Sequence, residues 1–387
     1  MPTSINFFEE ATALKEQLIA WRRDIHQMPE IGLETPNTSA YIQSELTKLG
    51  IPFHTIINGS GVVGTIGEGE PCLMLRSDID GLPMAEESGE EFASTNGNMH
   101  ACGHDGHVTI GLSAAKLLAA NKARLAGTVK LIFQPAEEGV RGAFAMMNAG
   151  VVDDVDYLFG GHIGFKATAD NCLVTMTDGF LATTKLDAEF TGVSAHAGAA
   201  PEQGKNALLA AAQAAISLNT IPRHSKGSSR INVGVLNAGT GRNVVPDIAA
   251  IKLETRGATT EIDEYMVTEA KRILNACAAM YDVKVKITMA GAAPACFADK
   301  ELGHEVAELI EEKCHYDEVV EYVDMGGSED CGYFMERVQQ HGGRALYMMY
   351  GTKIAAGHHN SHFDFNEDCL WKAAATVTEI AVHFSNK

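Results

Sequence analysis

The chain has 387 residues, 45% of them apolar and 21% charged, and a formal net charge of -20. At about 100–200 residues per domain this length suggests two or three domains, with ample apolar material for a core. The acidic balance argues against a nucleic-acid partner, and no stretch reaches the about 18 apolar residues of a membrane helix. The plain reading of the charge is solubility.

The opening MPTSINFFEEATALKEQL is acidic and helical in pattern, without the basic start and apolar run of an export signal. Leu14, Leu18, Trp21 and Ile25 at helical spacing predict an amphipathic helix over 9–27. A second helix is predicted over 38–49, ending at Gly50. Strands over 62–66, 73–75 and 129–133 then alternate with helices over 109–120 and 143–149. That alternation predicts an α/β layer architecture with a largely parallel sheet. The middle is patterned differently, with alternating strands over 185–191, 229–236, 248–256 and 283–289 flanking helices over 207–218 and 265–280. Strand–helix–strand–strand–helix–strand is the order of a split βαβ sandwich. It predicts a second domain inserted over 184–293, leaving 1–183 plus 294–387 as the first. The last third resumes the α/β alternation, with a helix over 302–313, a strand over 345–350 and a helix over 368–384. Eight cysteines, from Cys72 to Cys369 and including Cys314, form no CxxC pair; they read as reduced thiols in a cytoplasmic protein.

Four segments carry chemistry. MHACGHDGH at 99–107 packs His100, Cys102, His104, Asp105 and His107 between glycines, a density of metal-ligating types that points to a metal site. It follows Arg76-Ser77-Asp78-Ile79-Asp80, where the carboxylates come directly after a strand, the place where open α/β sheets put their sites; a turn or helix cap is the alternative for these aspartates. FQPAEEG at 133–139 also follows a strand. Adjacent Glu137 and Glu138 cannot share one face of a regular element. In a loop, one can hold a metal while the other faces substrate; the alternative is an acidic helix start. GGHIG at 160–164 and AAGHHNSHFDF at 355–365 add histidines beside glycines. Together these segments offer one Cys, several His and a Glu at four separated strand ends.

With GVSAHAG at 192–198, GRNVVPD at 241–247 and GSEDCGYF at 327–334, this motif set resembles the M20 metallopeptidase/amidohydrolase family, in its Cys-containing aminoacylase-like branch. The resemblance runs from WRRDIHQMPEIG at 21–32 to the C-terminal histidines. Within the branch, KLIFQPAEEGVRGA, VVDDVDY and NALLAAAQA look most similar to p-aminobenzoyl-glutamate and indoleacetyl-aspartate hydrolases. The resemblance implies a mixed-sheet α/β metallohydrolase catalytic domain with an inserted ferredoxin-like α+β lid or dimerisation domain. It implies two divalent metal ions, zinc or manganese, held by Cys102, His104, Glu138, His162 and a C-terminal histidine. Aligning on Phe363 and Glu367 makes that histidine His359, with His358 and His362 as competitors. Glu137 matches the family's general base; His196, Asn243 and Arg256 match residues that the inserted domain contributes. His100, Asp105, His107 and Asp80 are expected to orient the ligands.

The implied reaction is amide hydrolysis of a small-molecule N-acyl amino acid by a homodimer; pairing with a related partner subunit is a further option. Arg242, beside Asn243, stands where many members of the branch carry a small or apolar residue. It points to an acidic amino acid, glutamate or aspartate, unless it is a solvated surface arginine; Arg223 and His224 are weaker candidates for the same role. The alternatives are a broad N-acyl amino acid deacylase of the hippurate or auxin-conjugate type and a non-catalytic binding protein. The absence of G-x-S-x-G and H-E-x-x-H argues against serine and zincin hydrolases.

Overall fold

A computed structural model describes residues 6–313 and 316–387, so Cys314 and the first five residues lie outside it. In chain order the elements are α1 (Phe7–Thr12), α2 (Lys15–His26), α3 (Pro36–Lys48), β1 (Phe53–Ile56), β2 (Gly61–Gly67), β3 (Cys72–Asp78), α4 (His104–Ala120), β4 (Thr128–Gln134), α5 (Gly142–Asn148), β5 (Tyr157–Ile163), β6 (Cys172–Val174) and β7 (Thr177–Asp178). There follow β8 (Ala182–Thr191), α6 (Ala207–Leu218), β9 (Ser229–Ala238), β10 (Ile248–Gly257), α7 (Thr260–Met280) and β11 (Lys284–Ala293). The chain closes with α8 (Lys300–Lys313), β12 (Glu318–Val320), β13 (Val323–Asp324), α9 (Gly332–Gln340), β14 (Arg344–Tyr350) and α10 (Asp368–Phe384).

The chain divides into two compact units. The first, Met1–Asp178 with Phe297–Met325 and Asp330–Lys387, is built on a mixed sheet of order β1-β2-β4-β3-β5-β14-β6-β12. Its centre, β4-β3-β5-β14, is parallel, and β2 joins β4 antiparallel. The central strands are buried nearly end to end, so they read as continuous apolar runs rather than as alternation. Leu73, Leu75, Leu131, Phe159 and Met348 share a core with α1, α2, α4 and α10. Met74, Ile132, Leu158 and Tyr347, on the other pleat, are also buried. Helix α4 is buried almost all round because helices and sheet both pack on it.

The second unit, Gly179–Cys296 with Gly326–Glu329, is an antiparallel sheet of order β11-β8-β10-β9 with α6 and α7 packed on it. Numbered within the unit this is strand order 4-1-3-2, the ferredoxin-like arrangement. Its core holds Leu186, Phe190, Ala211, Ile251, Met266 and Leu274. Asn206 caps α6 by accepting from Leu209 N–H at 3.0 Å, and Thr259 caps α7 by accepting from Ile262 N–H at 3.3 Å. Leu181 N–H donates to Gly327 O at 2.7 Å, which draws the piece 326–329 into this unit.

Three predicted elements change, one of them the helix expected over 265–280, which starts at Thr260 behind its Thr259 cap. The single helix expected over 9–27 is split at Ala13–Leu14, where Leu14 N–H bonds to Ala11 O in a tighter turn. The turn sets Phe8 edge-on to Tyr316 and Trp371, while Leu18, Trp21 and Ile25 enter the core from α2. The helix expected over 109–120 starts earlier, at His104, behind Gly103 with φ +88°. A side chain would strain that left-handed backbone.

Helix α2 is fixed by charge. Buried Arg22 donates to Asp105 at 2.8 Å, Asp364 at 2.6 Å and Glu367 at 3.3 Å. His26 pairs with Asp105 at 2.7 Å and Glu86 at 3.0 Å. Burial opposes a charge on His26, but Asp105 and Glu86 prevail and hold its pKa up at about 9. The ordinary histidine value is about 6.5, so the stability His26 contributes is fully present below about pH 6.5 and is lost as pH rises through about 9. Denaturant unfolding between pH 6 and 9.5 is expected to show a loss of roughly 3 kcal/mol that a His26→Gln variant lacks.

Candidate metal centre

The carboxyl ends of β3, β4 and β5 meet the N-terminus of α4 and the 355–365 segment in one place. Ligand atoms of Cys102, His104 and His162 lie within 4.8 Å of one another, as do those of Cys102, Glu138 and His359, and of His104, Glu137 and Glu138. All of these belong to the first unit. His359 N–H donates to Ala101 O at 2.8 Å, which stitches the C-terminal segment to the Cys102 loop. His359 Nε2 stands 3.3 Å from Glu138 Oε2. Its two competitors are engaged elsewhere: His358 Nε2 meets Ile163 O at 3.1 Å, and His362 Nδ1 meets Ser361 Oγ at 3.1 Å.

Backbone carbonyls orient two of the histidines. His104 Nδ1 donates to Asp80 O at 2.8 Å and His162 Nδ1 to Ile163 O at 2.8 Å. Each ring therefore turns a lone pair on Nε2 toward the cluster, the arrangement of a metal-ligating histidine. His162 Nε2 is 3.4 Å from Cys102 Sγ. His104 Nε2 is buried and makes no hydrogen bond; Asp78 Oδ2 stands 3.5 Å and Glu137 Oε2 3.9 Å away. Burial opposes a charge on His104, yet Asp78 and its other partners hold its pKa well above the usual value. The field that favours a proton on Nε2 favours a cation there in the same way. Burial pushes the Cys102 thiol up to about 12, so only a cation makes a thiolate stable at neutral pH. The donor set of thiol, imidazole and carboxylate thus fits divalent metal ions.

The glutamate loop is strained and clamped. Ala136 and Val140 have φ +59° and +48°, and a branched residue disfavours that region strongly. Asp80 Oδ1 accepts from Glu137 N–H at 2.9 Å and its Oδ2 from Glu138 N–H at 3.3 Å. Gly142 closes the loop where a Cβ would stand 1.6 Å from Pro135 O. Asp330 holds both flanks, accepting from Gln134 Nε2 at 2.7 Å and from Ala143 N–H at 2.9 Å. Arg76 donates to Asp330 at 3.2 Å, to Gln134 Oε1 at 2.8 Å and to Asp78 Oδ2 at 2.8 Å. Burial alone would raise the Asp78 pKa, but Arg76, His104 and His107 hold it well below the carboxylate range.

Of the expected orienting residues, Asp80 clamps the loop and His107 bonds Asp78 through Nδ1 while accepting Ile163 N–H on Nε2 at 2.9 Å. Asp105 binds Arg22 and His26. His100 differs: neither ring nitrogen is hydrogen-bonded, and burial pushes its pKa down to about 3. Arg76, Asp330 and Arg22 received no role from the sequence, although each lies in a quoted motif; a charged residue inside a strand run was the signal for Arg76.

His196, Arg242, Asn243 and Arg256 lie in the second unit. Exposed His196 accepts Gly198 N–H at 3.2 Å and Ala199 N–H at 3.1 Å on Nδ1, so the neutral ring carries its proton on Nε2 and offers a donor there. Asn243 O accepts Ala197 N–H at 3.0 Å. Arg242 is exposed. Arg256 is half-buried, paired with Glu254 at 3.1 Å.

Residues 74–383 match the peptidase family M20/M25/M40. The chain belongs to this family. An indole-3-acetyl-aspartic acid hydrolase of Enterobacter agglomerans is 42% identical, covering 96% of each chain. A p-aminobenzoyl-glutamate hydrolase subunit of Escherichia coli is 42% identical, covering 98% of each. Among solved structures, an aminobenzoyl-glutamate utilization protein from Klebsiella pneumoniae superposes with TM-score 0.84 at 36% identity over 98% of each chain. A dinuclear metal-binding M20 peptidase from Bacillus subtilis superposes with TM-score 0.74 at 26% identity, covering 97% of this chain and 99% of that one. The chain is a metal-dependent amidohydrolase.

Asp330→Asn keeps an acceptor but loses a carboxylate oxygen from the loop clamp. Such a change beside a metal site is expected to lower turnover or metal affinity about 10–100-fold with the fold retained, as read by kinetics, metal titration and circular dichroism.

Proposed function

We propose that this chain hydrolyses the amide bond of N-acyl amino acids, with two divalent ions held by Cys102, His104, Glu138, His162 and His359. The observation that carries the reading is a pair of overlapping donor groups, Cys102–His104–His162 and Cys102–Glu138–His359, with a buried His104 Nε2 that makes no hydrogen bond. Zinc or manganese ions held there would supply Lewis acidity, lowering the pKa of a water and polarising the amide carbonyl. Glu137 takes the water proton on its carboxylate and returns it to the leaving amine nitrogen. In the dimer that the family resemblance implies, His196 Nε2–H would donate to the developing oxyanion in a neighbouring copy's site. Arg256 and Asn243 hold the α-carboxylate, the guanidinium fork matching its plane. Arg242 adds a second cation for an acidic side chain, so the favoured substrates are acyl-glutamates and acyl-aspartates. A ligand thiol that has to stay reduced suits the cytoplasm.

The test is amine release from p-aminobenzoyl-glutamate, indoleacetyl-aspartate, hippurate and acetyl-methionine with zinc or manganese present. The first two are expected to be preferred, and Arg242→Ala to impair them at least about tenfold more than hippurate, the scale of one charge-assisted hydrogen bond. Equal losses would remove the acidic preference and leave a broad deacylase. Glu137→Ala is expected to abolish turnover while metal stays bound; full activity there would end the general-base assignment.

We infer further that the inserted region, 184–293, carries a homodimer contact. In support, β9 is an edge strand, with Val235 and Leu236 each 39% exposed, and α6 presents Leu209 and Ile216 at 46% and 66%. An open apolar edge invites a second copy. A related partner subunit, in place of that copy, would occupy the same edge. Leu236→Lys with Ile216→Asp is expected to halve the mass in sedimentation and lower turnover; an unchanged mass would exclude this edge.

A further inference from the structure

β5 ends in a turn that its sequence does not favour. Gly164 and Phe165 both have left-handed backbones, φ +66° and +56°. Gly164 N–H donates to Tyr350 O at 2.9 Å and Ala167 N–H to Gly164 O at 2.9 Å, which fixes the turn. Two successive left-handed residues are the province of Gly, Asn and Asp; a bulky aromatic there is strained. Burial does not compensate, because Phe165 is only half-buried. Its ring lies against His162, centroids 5.9 Å apart, and His358, 5.4 Å apart. His162 Nε2 in turn faces Cys102 Sγ at 3.4 Å. A ring held at a strained position, at the rim of a reactive cluster and partly open, is the kind of outlier from which function is argued.

We infer that Phe165 selects the acyl group, its open surface packing against an aromatic acyl ring of the substrate. This rests on the N-acyl amino acid reading and deepens it. A benzoyl-type ring is bonded directly to the carbonyl carbon that reacts beside His162, so it lies within reach of an aromatic side chain packed on that histidine. The opposite end of the substrate carries carboxylates, which lose hydration against an apolar ring and gain nothing from it. Offset or edge-to-face pairing of two rings is worth up to about tenfold in affinity.

The test uses zinc-loaded Glu137→Ala protein, which binds without turnover, and calorimetric titration with p-aminobenzoyl-glutamate and N-acetyl-glutamate. Adding Phe165→Leu, which keeps apolar bulk but removes the ring, is expected to weaken the aromatic ligand about tenfold and the acetyl ligand less than twofold. Phe165→Gly is expected to lose the same selectivity without a lower melting temperature, because glycine suits the turn. Equal weakening of both ligands, or a change in zinc affinity, would mean that Phe165 only supports His162 and would overturn the inference; so would no change in either. Binding of neither ligand to the parent Glu137→Ala protein would overturn the N-acyl amino acid reading itself.

Discussion

One guanidinium sits where the central strands end, and the site's geometry hangs on it. Buried Arg76 extends from β3 and donates to Asp78, Gln134 and Asp330. A buried cation is stable only when carboxylates and hydrogen bonds replace its lost water. Once they do, each partner is fixed in turn. Asp78, kept ionised, orients His107, which accepts the Ile163 amide and so sets the end of β5 beside His162. Asp330 fixes both flanks of the glutamate loop. A position on one strand thereby determines the attitude of groups on two others.

A second buried arginine does for the helices what Arg76 does for the strands. Arg22 binds Asp105 in the first turn of α4 and Asp364 and Glu367 beyond His359. The two networks meet in α4, whose first turn supplies His104, Asp105 and His107. Between them the ligand-bearing segments are held by charge-assisted hydrogen bonds. Strain gathers in the same region: Ala136, Val140, Phe165 and His359 all have positive φ. Rigid surroundings are what keep such backbones in place.

Much of this was legible in the chain. The strand-to-loop transitions at Asp78, Gln134 and Ile163 show as apolar runs ending in polar or glycine residues, and the cluster of ligand types at 99–107 announces itself by density. The early start of α4 was not legible, because HDGH reads as a loop until Gly103 is seen to take the left-handed bend before it. Nor was the role of Asp330, whose partners lie 187 to 254 residues away in sequence. The split of the first helix at Ala13–Leu14 follows from what Phe8 and Trp21 each pack against, and no Gly or Pro marks it.

The sequence by itself determined the residue types of the site, the order of its elements and the change of pattern that marks the inserted region, because apolar periodicity and ligand chemistry are local properties. Tertiary structure decided which of three neighbouring C-terminal histidines faces Glu138. It also decided which imidazole nitrogens point inward, and that a phenylalanine would occupy a glycine-like turn. Those choices depend on backbone carbonyls and buried charges brought in from distant segments, and no local pattern encodes such partners.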